Sequence, residues 1–107
     1  MIFKKYNAKA EVETTATTIT PKDVTVFTCP ENSSIIVLTL EMTSEDNTVV
    51  YIKQCNTDKT VMFQTKLDIE ENDYVGFTHK LIFTEGQSLV IAADSDTFTI
   101  QAHCAII

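Results

Sequence analysis

Three cysteines and two histidines are the side chains of this 107-residue sequence best suited to chemistry. Cys29, Cys55 and Cys104 are widely spaced and form no CxxC or CxxH pair, the spacings that zinc and redox sites use. We therefore predict free, buried thiols in a chain made in a reducing compartment. One disulfide with one leftover thiol, and a metal site, are the alternatives.

The two histidines have no nucleophile beside them in the sequence. His79 shares an apolar strand phase with Phe77 and Leu81, so we expect a packed, hydrogen-bonded residue rather than a base. His103 precedes Cys104, but adjacent strand residues point to opposite faces, so the two cannot act as base and nucleophile. The sequence also contains no GxSxG, HExxH or phosphate-binding glycine loop. We predict a non-enzymatic protein with no catalytic residue and no cofactor.

Carboxylates are concentrated in three turn-like segments. We expect these segments to be solvated loops that keep a sheet protein soluble and block edge-to-edge pairing. A calcium site is the alternative, because paired carboxylates suit a hard cation, but the EF-hand pattern is absent. We therefore predict no metal site. The acidic segments are Glu45-Asp46, Glu70-Glu71 with Asp73, and Asp94 with Asp96.

The charge balance argues against several classes of partner. Eight lysines, no arginine and fifteen carboxylates give a net charge of −7, which does not suit a nucleic-acid binder. Apolar runs such as Ile35–Leu38 and Val49–Ile52 are far shorter than the roughly 18 residues of a membrane span. No apolar segment follows Lys4 and Lys5, so we expect no secretory signal. Trp is absent, and a carbohydrate platform would have to use the tyrosines.

The elements that must position these residues are strands. Thr, Ile and Val number 17, 11 and 9, and β-branched residues favour pleated sheets. Alternating runs separated by polar turns predict an all-β, antiparallel sandwich or jelly-roll-like fold with little or no helix. We predict a single domain over residues 1–107, in which residues 1–20 supply an N-terminal arm and the first strand. The eight expected strands lie near residues 9–14, 24–29, 34–43, 48–55, 60–68, 74–83, 87–93 and 97–106.

The alternation also predicts which side chains share a face. We expect Ile36, Leu38, Leu40 and Met42 to point together into the core. The same pattern places three further sets inside. These sets are Val61, Phe63, Leu67 and Ile69; Val75, Phe77, Leu81 and Phe83; and Phe98, Ile100, Ala102, Cys104 and Ile106.

The layout of the chain resembles a known class of protein over roughly residues 24–106. Residues 26–40 read as a strand, a turn with Pro30 and a long apolar strand, and residues 80–93 surround a turn at Gly86. With the closing strand at residues 98–102, this pattern is similar to small virion structural proteins of tailed bacteriophages. Gln87 stands where that pattern usually has Asp. The resemblance implies a sandwich subunit made in the host cytoplasm and located on the virion, where it either decorates the capsid or lies in the neck or tail. Its partners would be the major capsid protein or other virion proteins.

The sequence has more apolar residues than the core of a monomeric sandwich would bury. Two strands are apolar on both faces, which predicts a covered central strand or an edge covered by a partner. Both ends of the chain are also apolar, so we expect them to dock on a partner, either the capsid protein or a copy of the chain. The candidate interface residues are Met1, Ile2, Phe3, Tyr6, Ile35, Val37, Val49, Tyr51, Ala105, Ile106 and Ile107.

Two other functions compete with a capsid-decorating role. One is a receptor- or glycan-binding sandwich of a tail fibre or cell surface, which needs Tyr51 or Tyr74 exposed beside carboxylates. The other is a small phage protein that blocks a host factor with its acidic surface. A decorating subunit needs an exposed apolar patch instead.

Overall fold

A computed structural model describes residues 1–10 and 23–107 of the chain. Within these residues there are nine strands and no helix, as the sequence predicts for an all-β protein. No helix of the described residues is long and apolar enough to cross a membrane. The strands are β1 (Ile2–Lys9), β2 (Val24–Thr28), β3 (Ser34–Thr43), β4 (Thr48–Cys55), β5 (Val61–Ile69), β6 (Tyr74–Phe77), β7 (Leu81–Thr84), β8 (Ser88–Ala93) and β9 (Thr99–Ile106).

The nine strands form two antiparallel sheets that pack face to face. The five-stranded sheet, sheet A, has the order β1-β9-β3-β6, with β7 also pairing β3. The four-stranded sheet, sheet B, has the order β2-β8-β4-β5. Because β6 and β7 both pair β3 on the same side, they act as one interrupted edge strand. Apart from the β4–β5 hairpin within sheet B, successive strands then lie in opposite sheets, as in a jelly roll. The predicted antiparallel sandwich is confirmed.

Two strand predictions need correction. The structure has a first strand at Ile2–Lys9 that was not expected, and the strand predicted near residues 9–14 falls mostly outside the described residues. Lys4 and Lys5 obscure the alternation there, but β1 is an edge strand, where long side chains reach solvent. Lys4 Nζ lies 4.9 Å from the centre of the Tyr6 ring. The single strand expected at 74–83 is broken between Phe77 and Leu81.

A β-bulge at Leu38 overturns the predicted face of β3. Val37 pairs Cys104 and Thr39 pairs His103, so Leu38 is an extra residue on this strand. Because a bulge shifts the alternation by one, Val37 before it and Leu40 after it are both buried in the core. Leu38 points outward, and the prediction that it shares the inner face is wrong.

The core between the sheets follows the predicted phase elsewhere, except that Phe63 of β5 is 40% exposed. Phe83 and Phe98 are fully buried, and the two predicted inner sets of β6–β7 and β9 face the interior. Phe27 of β2 packs edge-on against Phe83 at a ring distance of 4.9 Å, and Tyr6 of β1 lies 5.0 Å from the Phe27 ring. These aromatic contacts connect β2 of sheet B with β1 and β7 of sheet A.

A buried ion pair lies on the outer face of sheet B. Lys53 Nζ and Asp23 Oδ2 are 3.0 Å apart, and their side chains are 0% and 1% exposed. Lys53 lies between Val90 on β8 and Gln64 on β5, and alternates with the inward-facing Ile52. Charged groups are rarely buried unless paired, because leaving water costs several kcal/mol per ion. Asp23 therefore connects the chain before β2 to the centre of sheet B.

Candidate interaction surface

The outer face of sheet A carries a row of apolar side chains at one end of the sandwich. Phe3 on β1 pairs Ala105 on β9, Ala105 pairs Ile36 on β3, and Ile36 pairs Ile82 on β7. The inward residues of these strands belong to the core, so the paired row points away from it. Neighbouring strands are about 4.8 Å apart, and the row therefore spans roughly 14 Å.

Two further residues extend this row into a patch. The bulge turns Leu38 outward, and Ile107 exchanges backbone hydrogen bonds with Ser34, which places its side chain on the same face. Phe3, Leu38, Ile82 and Ile107 are 73%, 43%, 54% and 60% exposed. We call Phe3, Ile36, Leu38, Ile82, Ala105 and Ile107 the terminal patch.

The terminal patch has a mostly apolar hollow on one flank. A shallow depression of about 370 Å³ lies between Phe3 and Leu38, bordered by Lys4, Lys5 and His103. Side chains of a partner can therefore pack into the patch as well as over it. Large exposed apolar areas of this kind mark interaction sites on soluble proteins.

The rest of the outer face of sheet A is polar. His103 Nε2 lies 3.1 Å from Glu41 Oε2, and the Tyr74 hydroxyl donates a hydrogen bond to Glu41. The bond from Tyr74, together with His103, lowers the pKa of Glu41, while the same bond raises the pKa of Tyr74. Tyr74 is 59% exposed, and a Cβ placed on neighbouring Gly76 would meet nothing within 4 Å. The polar half is thus an open surface with one exposed ring.

The structure separates the candidate interface residues into several groups. Ile35 and Val37 lie in the core with no exposed surface, because their side chains point between the two sheets, so these two cannot face a partner. Both terminal strands pair with each other inside sheet A. The remaining candidates divide into Met1, Ile2, Phe3 and Ile107, which are exposed; Tyr6, Ile106, Val49 and Tyr51, which are half-buried; and Ala105, which is buried.

Three patch residues escaped the sequence reasoning. Ile36 and Leu38 were expected in the core, and Ile82 was not singled out. The alternation of Leu81 and Phe83 inside β7 was the signal that could have placed Ile82 outside. No comparable local signal marks Leu38, because the bulge depends on pairing with β9.

The acidic turns gather at the other end of the sandwich, where β3, β5 and β8 end. Several of their side chains bind neighbouring loops: Asp94 Oδ1 accepts hydrogen bonds from Thr48 and from the Val49 amide, and Asp46 Oδ2 accepts from Ser95 and Thr97 at 3.2 Å. These carboxylates therefore join the β3–β4 and β8–β9 loops to their neighbours. Among residues 1–10 and 23–107, no group of three or more His, Cys, Asp or Glu could hold a metal ion.

The candidate chemical residues are dispersed. Cys29, Cys55 and Cys104 are free and buried, as predicted, and burial raises the pKa of Cys104 to about 11. Such a thiol is a poor nucleophile near neutral pH. His79 does not lie in the core, because the chain leaves the sheet after Phe77; its exposed ring lies 5.5 Å from the Phe77 ring.

No family model, curated protein or solved structure matches this chain.

Proposed function

We propose that the protein is a non-enzymatic structural subunit of a tailed-bacteriophage particle, where it decorates or stabilises the capsid through protein–protein contacts. The terminal patch supports this proposal, since it leaves four large apolar side chains exposed on one face, and such a surface is costly to leave in water. The jelly-roll order adds support, because capsid proteins are among the classes that use this architecture.

Mass spectrometry of purified particles tests the proposal. We expect the chain to be present at a copy number that is a simple ratio to the major capsid protein. Particles assembled with the Ile82→Asp variant should lose the subunit, because the substitution places a carboxylate in the patch. Met62→Asp is the matched control, since Met62 is equally exposed but lies on β5 of sheet B. Absence of the native chain from particles would defeat the proposal.

A glycan-binding role is the second candidate, and the polar half of sheet A favours it. Tyr74 is exposed beside the Glu41 carboxylate, which is the arrangement that a sugar-stacking site needs. The open space over Gly76 would leave room for a ring against Tyr74.

A glycan-array screen with Tyr74→Ala as the paired variant tests this role. Binding by the native chain that Tyr74→Ala abolishes would support it. Tyr51→Ala is the control, since Tyr51 is half-buried on sheet B. No bound glycan, or equal loss in both variants, would exclude a site at Tyr74.

A further inference from the structure

We propose that the terminal patch is the contact surface for a second copy of this chain, which packs face to face against it. The two copies are related by a two-fold axis that lies between the two facing sheets and runs perpendicular to the strands of sheet A. The inference rests on the proposed role of the patch in protein–protein contact and names the partner that covers it as a second copy of the chain. The dimer is tested on the isolated chain, so its failure is distinguishable from failure of the virion role. Its evidence is the apolar area of the patch and the distribution of charge around it.

The exposed area matches what a dimer of this size requires. Taking roughly 180 Å² for a large apolar side chain, the exposed fractions of Phe3, Leu38, Ile82 and Ile107 leave roughly 400 Å² of apolar surface in water. A stable interface buries about 800 Å² per partner, of which slightly more than half is apolar. The patch therefore supplies nearly all the apolar part, and the surrounding polar side chains can supply the rest.

The charges beside Ile82 fit a two-fold partner. Exposed Lys80 precedes β7 and exposed Glu85 follows it, so the two charges bracket Ile82 along one edge strand; Glu85 Oε1 also accepts a hydrogen bond from the Asn32 amide at 2.9 Å. A two-fold axis that crosses β7 near Ile82 reverses the direction of the strand. The Lys80 of one copy then lies over the Glu85 of the other, and this pair occurs twice.

The acidic loops also favour this axis. They lie about seven residues along β3 from Ile36, or roughly 20 Å from the patch. An axis perpendicular to the strands points the two acidic ends in opposite directions. An axis parallel to the strands would place them side by side, where a net charge of −7 per chain would repel.

The outer edge of β1 is a poorer contact for a second copy. Lys4, Lys5 and Lys9 lie along this edge strand, and antiparallel pairing of two β1 strands would bring lysines together. Lysines on an edge strand oppose strand addition. The face of sheet A, rather than its edge, is therefore the surface available for self-association.

Sedimentation equilibrium of the full chain tests the dimer. We expect a species of twice the chain mass, with a dissociation constant of about 10 µM or tighter. Ile82→Asp should weaken association by about 100-fold or more, since each dimer would bury two unpaired carboxylates. Met62→Asp on sheet B and Gln101→Asp in the polar half of sheet A are controls that should stay within threefold of the native protein.

A charge exchange tests the axis. Lys80→Glu and Glu85→Lys should each weaken the dimer about tenfold, because like charges would then face each other. The K80E/E85K double variant should recover native affinity, since the exchanged pair is again complementary. Circular dichroism of each variant verifies that the sandwich is intact.

Several results would overturn the inference. A native chain that stays monomeric at about 200 µM, or forms a larger assembly than a dimer, contradicts it. So do equal effects of Ile82→Asp and Met62→Asp, or a double charge exchange that recovers no affinity. A monomer found in particles would refute the dimer alone, whereas a dimer absent from particles would refute the virion role alone.

Discussion

Replacing Lys53 with methionine should destabilise the fold far more than any substitution of an exposed lysine. The Lys53 ammonium lies 3.0 Å from an Asp23 carboxylate oxygen, and both side chains are almost completely buried. Lys53→Met keeps the aliphatic length of the side chain and removes its charge. The variant therefore leaves the Asp23 carboxylate buried without this cation.

The expected loss follows from the burial. Removing one member of a buried ion pair costs about 3–5 kcal/mol, whereas an exposed pair contributes about 0–1 kcal/mol. For a chain near 100 residues, each kcal/mol lowers the melting temperature by about 4 °C or more. We therefore expect Lys53→Met to melt at least 12 °C or so below the native protein.

Urea unfolding and calorimetry measure the effect, with Lys66→Met as the control. Lys66 is exposed on β5, next to β4, so its loss should change stability by about 0.5 kcal/mol or less. Asp23→Leu should also destabilise the fold, because it removes the carboxylate that lies 3.0 Å from the buried ammonium. The Lys53→Met/Asp23→Leu double variant should be more stable than either single variant, because it removes both buried charges.

A loss of less than about 1 kcal/mol in Lys53→Met, the range of a surface pair, would show that the buried pair does not stabilise the fold in this way. Strictly additive losses in the double variant would also contradict this role of the pair, because residues in direct contact should couple.

Three further predictions concern single groups elsewhere in the fold. Gly86→Ala should cost about 1–3 kcal/mol in urea unfolding, because Gly86 has a φ of +80° and a Cβ there would collide with a threonine methyl. Gly76→Ala, with open space around it, should be nearly neutral, and equal losses of stability in the two variants would contradict this prediction. Glu41→Gln should lower the raised pKa of Tyr74 in an ultraviolet titration, and an unchanged pKa would exclude the hydrogen bond. Cys104 should resist alkylation in the native protein at pH 8. Since its folded pKa of about 11 exceeds its ordinary 9, its contribution to stability should be present below pH 9 and decline as the pH rises towards 11. The same decline in a Cys104→Ala variant would argue against this assignment.

The strand pattern was largely predictable because alternation is a local property. The expected limits of β3 and β4 agree with the structure, and the inner faces of β6, β7 and β9 were assigned correctly. The first strand was missed because the lysines of an edge strand interrupt the alternation without breaking the strand. The gap between Phe77 and Leu81 left the phase intact, which is why one long strand was expected there.

The candidate surface was only partly predictable. Both apolar ends of the chain were recognised as interface material, and Phe3 and Ile107 do lie on the terminal patch. Ile35 and Val37 were predicted as interface residues because their strand is apolar on both faces, but both side chains point into the core and Ile36 points outward. Which of two apolar faces turns inward depends on the packing of the whole sandwich, not on β3 itself.

The sequence alone determined that this chain is an acidic, antiparallel β-sandwich, because β-branched content, alternation and turn chemistry act over a few neighbouring residues. Only the tertiary structure decided which of its apolar side chains are exposed together on one face. The bulge at Leu38 exists because Val37 and Thr39 pair successive residues of β9, more than sixty positions along the chain. Likewise, Phe3, Ala105, Ile36 and Ile82 come from separate parts of the sequence, and their strands meet only in the folded sheet.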